Sequence, residues 1–187
     1  MAASTNKPHW DSLATVQAET KTEENAIVTR YPPKKLNIIW GNDSRYWRLP
    51  TENNIGRPAE LIQVSWLEVT GTYEGGKGKT YEIGFEVSLT PDAFGWNGCH
   101  VYVMAKVGKR GKYSWKRSSL ENPKSGNFQI PLETLSIKVD DNPNNTDNKI
   151  YFGMYEVWSG KWKGGLKIYN AVIKEIIAAT PSATPSS

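Results

Sequence analysis

Tyr81-Glu82-Ile83-Gly84-Phe85-Glu86-Val87-Ser88-Leu89 is the stretch on which the fold turns. Large apolar side chains occupy every second position, and charged or small ones fill the gaps. Successive side chains of a β-strand point to opposite faces, so this pattern describes a strand with one face in a core and the other in water. A helix would need apolar residues three and four apart, and no long segment of the chain has that spacing. Outward from this stretch the same texture recurs in shorter pieces. Leu36 to Trp40 reads as a first strand; Ile62, Val64 and Trp66 alternate with Gln63 and Ser65; Val101, Val103, Ala105 and Val107 follow. A short strand at residues 113–116, another at Leu135, Ile137 and Val139, and two more at 151–158 and 166–177 complete the set. Phe128, Ile130 and Leu132 lead into a single helical turn. Pro91 ends the long strand, and residues 72–80, 108–112 and 140–148 are loops rich in Gly, Lys, Asn and Asp. Many short alternating strands between turn-marked intervals predict an all-β sandwich or barrel.

A chain of 187 residues makes one domain with some length to spare and can bury a real core. Residues 1–33 are poor in periodic hydrophobics and read as a flexible N-terminal arm, with Trp10 isolated in it. Residues 34–178 form the domain, and 179–187, built of Ala, Thr, Pro and Ser, a disordered C-terminal tail. The first residues carry no apolar run of the secretory kind, and no stretch is long and apolar enough for a membrane span. The single cysteine, Cys99, excludes an intramolecular disulfide and fits a reducing compartment. Its simplest role is a small buried hydrophobe; cross-linking between chains is the alternative. A net charge of +4 spread over the domain is a weak sign of nucleic-acid binding.

Catalytic chemistry finds little support. The chain has no glycine fingerprint for phosphates and no nucleophile elbow. His9 and His100 are the only histidines, which argues against a triad or a histidine-rich zinc site, and no cofactor or metal is expected. Glu82 and Glu86 share a strand face, but a glycosidase needs two carboxylates flanking one bond inside a cleft. A solvated strand face is the simpler account, and the chain reads as no enzyme. Lys106, Lys109, Arg110, Lys112, Lys116 and Arg117 interleave with Tyr113 and Trp115, a composition that suits single-stranded nucleic acid and keeps an RNA-binding alternative open. Gly108 and Gly111 mark the same run as a soluble hairpin tip.

Two turns are dense in aromatics. In the first, Trp40 and Trp47 bracket Gly41, Asn42, Asp43, Ser44, Arg45 and Tyr46. The turn breaks strand parity, so both indoles can face one concave spot beside short polar side chains. That combination suits a sugar, whose C–H groups lie on aromatic faces while its hydroxyls take hydrogen bonds. Core tryptophans are the other account. In the second turn Glu156 shares the parity of the apolar Phe152 and Met154, and Trp158, Lys161, Trp162 and Lys163 follow it. A carboxylate on an apolar face must be paired or functional. It is either salt-bridged to a nearby lysine or an acceptor for sugar hydroxyl and amide groups.

Together these stretches resemble the Nictaba-type plant lectins, the family that includes the phloem lectins. The match is a hydrophobic strand, Trp40, a short polar turn and Tyr46-Trp47, then Val64-Ser65-Trp66-Leu67, and finally Glu156 followed by Trp162-Lys163-Gly164-Gly165. It spans about residues 34–178. The resemblance implies an antiparallel, jelly-roll-like β-sandwich that binds N-acetylglucosamine oligomers (chitooligosaccharides, chitin) and the N-glycan core of glycoproteins without catalysis. It also implies a homodimer, a place in the cytoplasm or phloem sap and in the nucleus, and a part in plant defence. The family's binding positions correspond to Trp40, Trp47, Glu156 and Lys163. Asn42, Asp43, Ser44, Tyr46 and Trp162 are further candidate contacts beside them.

Overall fold

The computed structural model describes residues 7–121, 125–144 and 146–177. Among these residues, twelve strands form two antiparallel sheets packed face to face. One sheet has five strands in the order β3 (Asn37–Ile38), β6 (Leu67–Glu74), β11 (Lys149–Glu156), β8 (His100–Val107) and β9 (Ser114–Ser119). The other is built around β12 (Gly164–Ile176). Along one side of β12 runs β7 (Thr80–Phe94), which pairs in turn with β10 (Phe128–Lys138). Along its other side lie β2 (Ala26–Tyr31), followed by β1 (Glu19–Glu23), and β5 (Ala59–Leu61), followed by β4 (Trp47–Arg48). The chain crosses between sheets at β6–β7–β8 and again at β10–β11–β12, the alternation of a jelly-roll-like sandwich.

The alternating stretch of β7 does what its pattern predicts. Tyr81, Ile83, Phe85 and Val87 are buried. They face Val101, Val103 and Ala105 of β8 and Phe152 and Met154 of β11 across the sandwich, all of them in one buried cluster. The rings of Phe85 and Phe152 meet at 6.2 Å between centroids. On the outer face, Glu86 accepts hydrogen bonds from Arg30 (3.0 Å) and Asn170 (2.8 Å), so it works as a strand-to-strand tie.

Several expectations need correction. Strands β1 and β2 (residues 19–23 and 26–31) belong to the sheet: β2 pairs with β12, and Val28 is buried. The composition misleads because this hairpin lies at a sheet edge, where β1 is exposed at every position and therefore polar. The predicted tail at 179–187 lies outside the described residues. Pro91 does not end β7; the strand runs on to Phe94, with Pro91 in a register shift against β12 between Leu89 and Phe94. A proline needs no ladder partner there. The helical turn after Leu132 is absent, because β10 continues through a register shift between Ile130 and Leu135. Ile62, Val64 and Trp66 do not form one strand. They link β5 to β6, with Val64 buried and Trp66 nearly half exposed.

Trp47 requires the largest correction. Its neighbour Tyr46 stays at the surface, but strand parity in β4 turns Trp47 inward, where it is 2 % exposed. Its indole N–H donates to the Ile39 carbonyl at 3.1 Å. The ring is a core group and presents no face to a ligand.

The late turn is held by a buried ion pair. Glu156, the last residue of β11, and Lys163, just before β12, are 2 % and 0 % exposed and lie 2.5 Å apart. The carboxylate also accepts from the Ser159 N–H (3.0 Å) and hydroxyl (2.8 Å), and the ammonium donates to the Ser65 carbonyl (2.8 Å). Burial pushes the Glu156 carboxyl up, but the Lys163 ammonium and the two Ser159 bonds outweigh it and hold the group below the ordinary carboxylate range.

Two outcomes follow from this arrangement. Trp47→Ala should lower stability by about 3–5 kcal/mol in urea titration, as for large aromatic deletions from a core. Lys163→Met should cost about 3–5 kcal/mol by stranding a buried carboxylate, and Glu156→Leu combined with Lys163→Met should recover part of that loss. The folded-state value of Glu156 lies below its unfolded one, so its contribution is complete above the ordinary value of about 4.3 and fades as pH falls through the lower folded value. The urea midpoint of the native protein should therefore drop more steeply below about pH 4 than that of the double variant.

Candidate functional site

The two aromatic turns come together at one end of the sandwich. In the early turn Trp40 adopts a left-handed backbone conformation (φ 64°), uncommon for a residue with a side chain. Its N–H donates to His9 Nδ1 at 2.9 Å, and the Asp43 N–H donates to its carbonyl at 3.0 Å. The N-terminal segment braces the turn from outside. The Asn42 side-chain amide donates to the carbonyls of Lys7 (3.0 Å) and His9 (2.7 Å), and Trp10 pairs with Ile38 as an isolated β-bridge. Asp43 accepts from the Tyr46 and Trp47 amides through its carbonyl, while its carboxylate takes the Arg45 guanidinium in a two-pronged contact at 2.7–3.2 Å. That guanidinium holds the Asp43 carboxyl below its ordinary value.

The segment 62–65 splints the two turns. Its Ile62 N–H donates to the Tyr46 carbonyl at 2.8 Å, and Val64 exchanges two 2.9 Å backbone bonds with Lys163. Trp162 is thereby carried against Tyr46, their rings stacked at 6.3 Å and 29°. Trp40 also meets Tyr46, at 5.6 Å and tilted by 58°, and His9 touches Trp40 edge-on at 5.1 Å. Arg45 covers the Tyr46 ring at 5.3 Å. The approach of β7 to this segment leaves no room for a side chain at Gly95, whose Cβ would sit 2.0 Å from the Trp162 carbonyl at φ 81°.

The result is an aromatic row, Trp40–Tyr46–Trp162, with Trp40 37 % and Trp162 52 % exposed and Tyr46 half-buried between them. Of the sequence-derived candidates, Trp40, Tyr46 and Trp162 form the row, and Asn42, Asp43 and the exposed Ser44 border it. Trp47, Glu156 and Lys163 lie inside the protein. The carboxylate expected to meet a sugar already receives Ser159 and Lys163, so Glu156 and Lys163 position the row and do not line it. His9 and Arg45 are additions from the structure. A lone histidine in a polar segment gives no pattern by which sequence could have placed it. Chemically the row offers ring faces, a hydroxyl and guanidinium N–H groups. Among the described residues no cluster of three His, Cys, Asp or Glu could hold a metal.

Comparisons with known proteins bear on this site only through ancestry. The family profile described as "Phloem protein 2" matches residues 27–174. "Protein PHLOEM PROTEIN 2-LIKE A9" of Arabidopsis thaliana is 45 % identical over 173 residues, 86 % of this chain and 95 % of that protein. A protein of Luffa acutangula named "Lectin" is 32 % identical over 123 residues, 63 % of this chain and 58 % of its own length. Among solved structures, a "Family 16 Carbohydrate Binding Module-2" aligns with a TM-score of 0.40 at 9 % identity, covering 78 % of this chain and 84 % of that one. The "xylan-binding module CBM15" gives 0.38 at 9 % identity, covering 89 % of each chain. At such scores the structural alignments carry no argument about function. With residues 27–174 matched by the profile and a 45 % identical relative matched over nearly its whole length, the chain belongs to the phloem protein 2 family.

Proposed function

We propose that the protein is a non-catalytic lectin that binds N-acetylglucosamine oligomers on the Trp40–Tyr46–Trp162 row. The observation that carries the reading is the row itself: three adjoining rings from two turns far apart in sequence, two exposed indoles at either end of the contact chain and the half-buried Tyr46 linking them. Exposed large apolar groups in a contiguous set mark interaction sites. A pyranose lays its C–H face on such a ring, and the methyl of an N-acetyl group adds apolar contact with the next one. Ser44 and Arg45 at the border supply hydroxyl and guanidinium partners for directional hydrogen bonds. The name of the Luffa relative supports a sugar ligand of some kind. The choice of N-acetylglucosamine rests on the length of the row, which offers successive rings to an oligomer, and on the motif resemblance. Glycoproteins carrying the chitobiose core would be bound through the same contact.

Chitotriose titrated calorimetrically into the native protein and into Trp162→Ala tests this. Trp162 is half exposed, so the variant should keep its thermal midpoint and lose about 1–3 kcal/mol of binding, the range for one aromatic stack. Raising salt should leave the native affinity nearly unchanged, because a neutral sugar releases no counterions. Equal affinity of variant and native protein would refute the reading.

A further inference from the structure

The loop 157–162 carries a second tryptophan, and it points to a different surface. Trp158 is 61 % exposed and meets Tyr102 of β8 edge-on, with centroids 4.9 Å apart. Tyr102 in turn meets Trp115 of β9 at 5.4 Å, and Trp115 is 52 % exposed. Directly paired residues share a face, so the register of the five-stranded sheet defines what surrounds these rings. Tyr155, Tyr102 and Arg117 stand in one row, Gly153, Met104 and Trp115 in the next, and Tyr151 and Lys106 in a third. This is the outer face of the sheet, opposite the core. It measures about 10 Å across three strands and about 13 Å along β8 from Tyr102 to Lys106.

The floor of this face is shaped for contact. Gly153 has no side chain, and the Tyr155 ring lies over the vacancy, 2.8 Å from where a Cβ would be. Burial, then Tyr113 and Glu68, push the Tyr155 phenol well up, so it stays a protonated donor. The face is also electrically polarised. At one end stands Trp158; at the other Lys106 lies over the rings of Tyr113 (4.8 Å) and Tyr151 (5.7 Å), next to the turn that bears Lys109, Arg110 and Lys112. Arg117 is exposed on the face and forms no ion pair among the described residues, whereas Lys116, on the opposite side of β9, is taken by Glu133. The opposing charges are few. Glu68 accepts from the Trp66 indole, Glu74 pairs with Lys149, and Asp147 accepts from the Lys109 backbone.

We propose that this face is a second binding site, for an acidic oligosaccharide whose sugar rings carry carboxylates. The chain would run along β8, with its rings on Trp158, Tyr102 and Trp115 and a uronate carboxylate on Arg117. A guanidinium takes a carboxylate through two parallel hydrogen bonds, which an unpaired and exposed Arg117 leaves available. The basic turn extends the positive field beyond the last ring and favours a chain with further carboxylates. Adjacent rings here stand at 60° and 69° to each other. Each tilted ring is a separate platform, which the rings of a linked sugar chain, rotated about their linkages, can meet one at a time. This site depends on none of the residues of the Trp40–Tyr46–Trp162 row, so the two readings stand or fall apart.

An oligogalacturonate titrated into the native protein and into Trp115→Ala, Arg117→Gln and Trp162→Ala decides the matter. Binding should fall at least tenfold in Trp115→Ala and in Arg117→Gln and remain unchanged in Trp162→Ala, with thermal midpoints retained in all three. The dependence on salt should be shallow, corresponding to one or two ionic contacts. Absence of oligogalacturonate binding by the native protein, or full affinity in Arg117→Gln, would overturn the proposal. So would displacement of the oligogalacturonate by single-stranded RNA with a steep salt dependence, which would make the face a nucleic-acid surface.

Discussion

The buried contact between Glu156 and Lys163 is the constraint around which the two surface aromatic clusters are arranged. A charge pair taken out of water costs desolvation energy that attraction alone seldom repays, unless further hydrogen bonds complete both groups. Here Ser159 completes the carboxylate and Ser65 the ammonium. The four groups belong to the end of β11, the following loop, the residue just before β12 and the link between β5 and β6. One polar knot thus joins both sheets to the segment that splints the early turn. An apolar pair could fill the same volume, but it would not specify where the loop 157–162 begins and ends.

That loop serves two surfaces at once. Trp158 leaves it toward Tyr102 on the outer face of the five-stranded sheet, and Trp162 leaves it toward Tyr46 and the early turn. Both rings are more than half exposed, which is costly for isolated indoles and ordinary for contact residues. Core packing explains neither placement. The buried aromatics, Trp47, Trp96, Tyr81, Phe85 and Phe152, do the packing, and each buried N–H of the two indoles finds a carbonyl: Ile39 for Trp47 and Gly164 for Trp96. Cys99 is likewise a buried small group, with its sulfur 3.5 Å from the Ser159 hydroxyl.

Much of the fold could be read from local pattern, and the failures have a common cause. The alternation in β7, β8, β11 and β12 is strong because those strands are half core and half surface over their length. Strand β1 carries no periodic signal because an edge strand with both faces wet has no reason to alternate, and β2 beside it buries only Val28 and Thr29, two adjacent residues. Trp40 looked like a strand residue, yet the turn bends at its own φ of 64°, a choice enforced by His9 from a segment that reads as unstructured. The parity of Glu156 with Phe152 and Met154 correctly announced a carboxylate turned inward. Whether it then faced a ligand or a lysine depended on the position of Lys163, which β-pairing with Val64 decides.

From residue order alone came the all-β class, the main strands, the two aromatic turns and the pairing need of Glu156, since each is written in side-chain periodicity or in burial cost. Tertiary structure alone decided that Trp47 is core while Tyr46 stacks with the exposed Trp162, and that Glu156 and Lys163 support the row from inside the protein. The reason is that exposure is a property of what packs opposite a side chain. The partners here, Ile62 against Tyr46 and Val64 against Lys163, are set by sheet register across the molecule and leave no trace in the neighbouring sequence.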